Sequence, residues 1–272
     1  MRPGIYLVLL ISVLASSCEG YEKLLKSTDF DLKREKAKEY YDRGKYVKST
    51  ELIEQILPRF RASEMGEELV WMNAQSYYGM KQYDIAGSYY SSYVEQFAYG
   101  KHIEDATYMS AICDYNIAPR AELDQENTHR AIEGFKVFLA RYPYSIRVEE
   151  CKKLMTDLQE RLVEKSYLSA KLYYDMKQYK AAVTALSNSL KEFAETKYRE
   201  EMMYLKLSSL FLYAEKSYDI KQKERYQAAL DEYYSFMEEF PQSSYSRDVK
   251  KIYDSTAKYL KIDTKKAEAN IQ

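Results

Sequence analysis

The chain has 272 residues with only 8 glycines and 5 prolines, which argues against the turn-rich sandwiches and barrels. It carries 30 tyrosines and balances 41 basic against 42 acidic residues, for a net charge of −1. A nucleic-acid binder relying on phosphate neutralisation would show a basic excess, so no nucleic-acid partner is expected. The first seventeen residues read as a targeting segment. Arg2 is a short basic start, Ile5–Ala15 is apolar but short for a bilayer span, and Leu14-Ala15-Ser16-Ser17-Cys18 follows. That ending is similar to a bacterial lipobox, in which the thiol of Cys18 accepts diacylglycerol before cleavage. The leucine stands one position early, so an ordinary secretory signal with an unrelated cysteine is the alternative. Residues 18–29 form a tether to the folded part.

From residue 30 onward one pattern recurs. With Tyr83 and Tyr179 as reference, Ala74 and Ala170 lie nine positions earlier, Tyr77 and Tyr173 six earlier, Ala86 and Ala182 three later, and Phe97 and Phe193 fourteen later. The frame fits again at Tyr46 with Ala37, Tyr40, Ser49 and Phe60. It also fits at Thr128 with Ala131, Phe135, Phe138, Tyr142 and Pro143, and at Tyr226 with Ala229, Tyr233, Phe236, Phe240 and Pro241. Spacings of three and four put each set on one helix stripe. Alanines let paired helices cross closely, aromatics fill the surrounding space, and stacking further pairs buries the outer stripes. The pattern resembles the tetratricopeptide repeat.

The expected fold is therefore an all-α, tetratricopeptide-like α-solenoid of five helix pairs, with insertions in repeats 3 and 5. An N-terminal half spans 30–145, and residues 146–272 hold a connecting helix and the C-terminal half. Asn116–Asn127 reads as a loop inside the third repeat, 147–160 as the connecting helix, 219–224 (DIKQKE) as an inserted turn, and the end beyond Asp263 as a frayed polar tail.

Double tyrosines point to a binding surface. In Tyr40-Tyr41, Tyr77-Tyr78 and Tyr173-Tyr174 adjacent side chains diverge by about 100°. The first of each pair is assigned to the repeat core together with the alanines. The second faces a groove beside Asp31, Arg34 and Lys38 in repeat 1, Glu68, Trp71 and Gln75 in repeat 2, and Glu164, Tyr167 and Lys171 in repeat 4. The candidate peptide groove is thus Arg34, Lys38, Tyr41, Trp71, Gln75 and Tyr78, suited to an extended peptide ending in an aromatic residue and a carboxylate. The alternative is that these rings only pack between repeats.

No enzyme is expected. His102 and His129 lack metal-ligand spacing, no glycine-rich phosphate loop occurs, and Glu149-Glu150 and Glu238-Glu239 read as solvated faces. No cofactor or metal is predicted. Cys113 and Cys151 are expected as separate buried thiols, with a disulfide as the alternative.

A lipobox, a short tether and five such repeats with these insertions together resemble the BamD family, lipoproteins of the β-barrel assembly machinery. DFDLKREKAKEYYDRGKYVKS (29–49), DQENTHRAIEGFKVFLARYPYS (124–145) and SYLSAKLYYDMKQYKAAV (166–183) carry the likeness. The resemblance implies a lipid-anchored protein on the periplasmic side of the outer membrane. Its C-terminal repeats, here Arg199–Tyr213 and Arg247–Tyr259, would bind the POTRA region of BamA. Its N-terminal groove would receive C-terminal signals of unfolded outer-membrane proteins. One departure stands out: Ala182–Leu190 has no basic residue where the family carries one facing BamA, which leaves Lys191 as a substitute. The rival expectations are another periplasmic repeat lipoprotein, such as one coordinating cell-wall synthesis, and an enzyme or its regulator.

Overall fold

A computed structural model describes residues 20–61 and 63–262, and among these residues every regular element is helical. Cys18 and the tail beyond Asp263 lie outside the described residues. Helix α1 covers residues 20–26. Five pairs follow: α2 (Phe30–Asp42) with α3 (Tyr46–Ile56), α4 (Glu64–Gly79) with α5 (Tyr83–Gln96), α6 (Ile103–Ile117) with α7 (Glu126–Arg141), α8 (Val148–Asp175) with α9 (Tyr179–Glu192), and α10 (Arg199–Glu215) with α11 (Asp219–Glu239). Helix α12 (Ser246–Leu260) follows the last pair.

The turn inside a pair is set two residues before the reference tyrosine. Gly44, Lys81 and Lys177 occupy that position with φ of 67°, 60° and 61°. Their own amides donate to Tyr41, Tyr78 and Tyr174 O. The next amides reach back to Tyr40, Tyr77 and Tyr173 O at 2.8–3.0 Å. This double bond closes a helix end through one left-handed residue, a conformation glycine adopts freely and lysine adopts at a cost of roughly 1 kcal/mol. Lys81→Gly and Lys177→Gly are each expected to raise stability by up to about 1 kcal/mol, read as a higher urea midpoint at constant m-value. Second helices end alike: the amides of Phe97, Tyr142, Phe193 and Phe240 bond to the carbonyl four residues back at 2.8–2.9 Å, with φ near −121° to −128°.

Ala37, Ala74, Ala86, Ala131, Ala182 and Ala229 are fully buried and Ala170 is 1% exposed. The tyrosines assigned with them behave differently. Tyr40 and Tyr77 are half-buried because α1 and α3 offer partners: Tyr21 meets Tyr40 edge-on at 5.6 Å, and the Tyr77 hydroxyl donates to Glu54. Tyr173, expected in the core, is 41% exposed. Its ring borders a cavity beside α9 with Lys177, Ala181 and Ala185, while Tyr167 and Tyr174 take the places against Tyr198 and Ser208.

Among the described residues, contacts form one unit up to residue 119 together with 124–158, and a second from 120–123 together with residue 159 onward. The division falls inside α8 rather than near 145. No glycine or proline interrupts 148–175, so the connecting segment and the first helix of the fourth repeat run on as one helix. The loop inserted in the third repeat supplies residues 120–123 to the second unit, where Lys165 Nζ donates to the Glu122 carbonyl at 2.9 Å. DIKQKE is not a turn. It forms the opening of α11, and extended backbone at Tyr218 separates that helix from α10. Cys113 and Cys151 are free and buried, and burial pushes their thiols up to about 12 and about 11. Among the described residues no helix is long and apolar enough to cross a membrane.

Candidate functional site

Helices α2 and α4 lie side by side in the first unit. On α2, Asp31, Arg34, Lys38 and Tyr41 fall at spacings of three and four, so they share one face. On α4, Glu68, Trp71 and Met72 do the same. Between them open two adjoining cavities of about 550 and about 450 Å³, both bordered by Lys38, Glu68 and Met72. Arg34 and Asp31 line the first, and Tyr41 and Trp71 line the second. Gln75 and Tyr78 line neither. Gln75 is half-buried, and the Tyr78 ring turns to Tyr83 at 5.3 Å.

The floor is aromatic. Trp71 meets Tyr90 and Tyr93 edge-on at 5.6 and 5.8 Å, and His102 stacks on its other side at 4.3 Å and 8°. Below it, the Tyr93 hydroxyl donates to Glu67 and accepts from the His102 amide at 2.9 Å, while the Lys101 amide donates to Glu67 at 2.7 Å. Trp71 is therefore held by its neighbours and presents only part of its ring to the trough.

The rim is a set of paired charges. Lys38 Nζ lies 3.0 Å from Glu68, with both side chains more than half exposed, and this bond raises the lysine pKa. Arg34 sits 3.7 Å from Asp31 and donates to Met65 Sδ at 2.9 Å. Burial raises the Tyr41 pKa and keeps that hydroxyl a neutral donor. Six carboxylates line the two cavities (Asp29, Asp31, Glu35, Glu64, Glu67 and Glu68) against Arg34, Lys38 and Lys101. Such a trough offers apolar area, many acceptors for peptide amides and two cations already in use. A ligand carboxylate must displace Glu68 from Lys38 or Asp31 from Arg34.

The equivalent positions of the fourth repeat are closed. Tyr167 is 6% exposed and stacks on Tyr198 at 4.3 Å, Lys171 donates to Tyr167 and Glu201 at 3.0 and 2.7 Å, and Tyr174 bonds Ser208 at 3.0 Å. There the rings pack between α8 and α10, and no groove results. The same stacking recurs down the chain, between a first-helix ring and the residue just before the next helix pair or α12: Trp71 on His102, Tyr167 on Tyr198, Tyr204 on Tyr245. In the third repeat the Arg147 guanidinium takes that place, 4.8 Å over Tyr108. Periodicity within one helix does not show these partners. A constant offset of 31 residues from Trp71 to His102 and from Tyr167 to Tyr198 does. His129 is exposed, and among the described residues no group of three or more His, Cys, Asp or Glu is placed to hold a metal.

Comparison with known proteins gives one family match. The family described as "YfiO: Outer membrane lipoprotein" matches residues 33–210. No curated protein sequence matches. Among solved structures, the "TPR2AB-domain:pHSP90-complex of yeast Sti1" is similar at 14% identity and TM-score 0.38, over 84% of this chain and 98% of that one. A Podosopora anserina kinesin light chain with nearly identical TPR-like repeats is similar at 16% and 0.33, over 78% and 96%.

Proposed function

Since the chain belongs to the YfiO family of outer membrane lipoproteins, we propose that it is a non-enzymatic scaffold of the β-barrel assembly machinery. In this reading it hangs from acylated Cys18 on the periplasmic side of the outer membrane. Its second unit holds the POTRA region of BamA, and its first unit presents a trough to C-terminal signals of unfolded barrel proteins. The observation that carries the peptide-binding role is the trough between α2 and α4, with Trp71 in its floor and Lys38 and Arg34 on its rim. An extended strand that ends in an aromatic residue would place its ring against Trp71 and its terminal carboxylate at Lys38.

Helix α12 buries Val249, Ile252, Tyr253 and Ala257, so removing it would open the second unit's core and confound a test of the BamA surface. Reversing exposed charges keeps that core intact. Arg247→Glu with Lys258→Glu is expected to cut recovery of BamA after cross-linking in intact cells while helicity and melting hold. Undiminished BamA recovery would reject this surface.

A second reading has its own support. The trough carries more carboxylates than cations, and Ala182–Leu190 is without a basic residue. Both features suit a periplasmic repeat lipoprotein that scaffolds other envelope proteins, such as those of cell-wall synthesis. The same cross-linking separates the two: captured chains rich in cell-wall enzymes and lacking BamA favour the second.

A further inference from the structure

Helix α1 is fixed to the first repeat. Leu24 is 9% exposed, Tyr21 packs edge-on against Tyr40, and the Tyr21 hydroxyl reaches the Lys48 carbonyl at 3.2 Å and the Glu51 carboxylate. From α2 the buried Lys33 donates to the Leu25 carbonyl at 2.9 Å and to Gln55 at 2.6 Å. Cys18 precedes Gly20 by two residues, and chain geometry limits that separation to about 7 Å. Any group attached to Cys18 is therefore leashed to this corner of the first repeat.

Beside Gly20 lies a cavity of about 460 Å³ that adjoins the trough at Leu32 and otherwise has its own lining. Lys23, Lys36, Arg43, Lys45 and Lys48 line it, against the single carboxylate of Glu39. Glu39 is shared by Lys36 at 2.6 Å and Arg43 at 2.9 Å, so one negative charge meets two positive ones. Lys23 and Lys45 are exposed and have no ion pair among the described residues. Lys48 Nζ sits 4.5 Å over the Tyr21 ring. Of the apolar side chains, Leu32 lines the cavity at 40% exposure, and Val47, next to Lys48 in the chain, is 60% exposed. In a chain of net charge −1 this is a local concentration of positive charge rather than a general excess.

We propose that this corner binds the phosphate headgroups of an anionic phospholipid surface. The inference rests on the lipid-anchor reading of Cys18. Acyl chains alone leave a protein free to swing about its attachment point. A basic patch within a few ångströms of that point adds a second, shorter contact, and two signals together fix a peripheral protein at a surface. The patch thus sets the angle of the first repeat to the bilayer, with Lys45 and Lys48 at the headgroups and Val47 entering the interface. The trough meets the patch only at Leu32, and its rim of Asp31, Arg34 and Lys38 stays in the aqueous space.

The test uses the mature chain carrying Cys18→Ser, sedimented with vesicles of phosphatidylcholine alone or mixed with phosphatidylglycerol. Binding to the mixed vesicles only, weakened by salt, is expected. Each basic residue near an anionic surface contributes about fivefold, so Lys23→Glu/Lys45→Glu/Lys48→Glu should lower the partition coefficient by roughly a hundredfold. Lys177→Glu/Lys180→Glu/Lys216→Glu, the same charge change in the second unit, should leave most binding in place. Equal loss in both triple variants, or equal binding to neutral vesicles, would overturn the proposal. The mass of the N-terminal peptide from cells reports acylation separately. An unmodified Cys18 would reject the anchor and leave the vesicle result to judge the patch.

Discussion

Phe138→Ala is expected to lower the unfolding free energy of the first unit by about 3–5 kcal/mol, the largest loss from a single side chain foreseen here. Phe138 is fully buried on α7, with its ring 5.5 Å from Tyr108 and 5.3 Å from Tyr142. Little can move in to fill the space. Tyr108 is capped by the Arg147 guanidinium, Phe135 is itself fully buried, and Gly134 brings α7 so near α6 that a Cβ there would stand 3.0 Å from Ala111 Cβ. The cavity term therefore adds to the lost transfer energy rather than being relaxed away. Trp71, the chain's one tryptophan, lies in this unit and supplies the signal for a urea titration. Val137→Ala next door, half exposed, is the control and should change stability by no more than about 0.5 kcal/mol. A loss under about 1 kcal/mol for Phe138→Ala would mean that the second-helix aromatics do not carry the repeat core.

What the sequence disclosed, and what it hid, follows from the range of each signal. Alanines at a fixed place in the frame were legible because a close helix crossing admits little beyond a methyl group, whatever surrounds it. The aromatic at the end of each second helix was legible for a similar local reason. Lys81 and Lys177 were not legible as left-handed residues, since lysine carries no preference for that region; only Gly44 at the same place in the first repeat hinted at it. The length of α8 was hidden because nothing in 148–175 breaks a helix, and the repeat frame expects a boundary that the backbone has no reason to make. Tyr173 matches Tyr77 in sequence yet lies open, because Ala185 stands at the place from which Tyr89 stacks on Tyr77. For the trough, helical spacing picked out Asp31, Arg34, Lys38, Tyr41, Glu68 and Trp71. It could not supply Lys101 and His102, which arrive from the loop ahead of α6, nor foresee that Tyr167 and Tyr198 would close the same position in the fourth repeat.

Trp71→Ala should weaken a peptide that ends in an aromatic residue by tenfold to a hundredfold, the loss of roughly 1.5–3 kcal/mol of ring burial. The change is not clean, because His102, Tyr90 and Tyr93 all rest on that indole and the melting temperature should fall as well. Glu68 gives the sharper result, because the expected sign is unusual. Lys38 is already satisfied by Glu68 at 3.0 Å, in a pair open to water on both sides. An exposed pair of this kind is worth about 0.2–1 kcal/mol, so a ligand carboxylate that must displace Glu68 forfeits up to about fivefold in affinity. Glu68→Gln frees Lys38 and removes a repelling charge, and should tighten the free-acid peptide several-fold while leaving its C-terminal amide unchanged. Lys38→Ala should do the reverse, again only for the free acid. Calorimetric titration of both peptides against both variants at low and high salt reads all eight values, and added salt should erase most of the difference. A Glu68→Gln variant that binds the acid no better than the parent, or shifts acid and amide alike, would remove Lys38 as the seat of a terminal carboxylate and leave the trough to ligands that donate hydrogen bonds to its acidic rim.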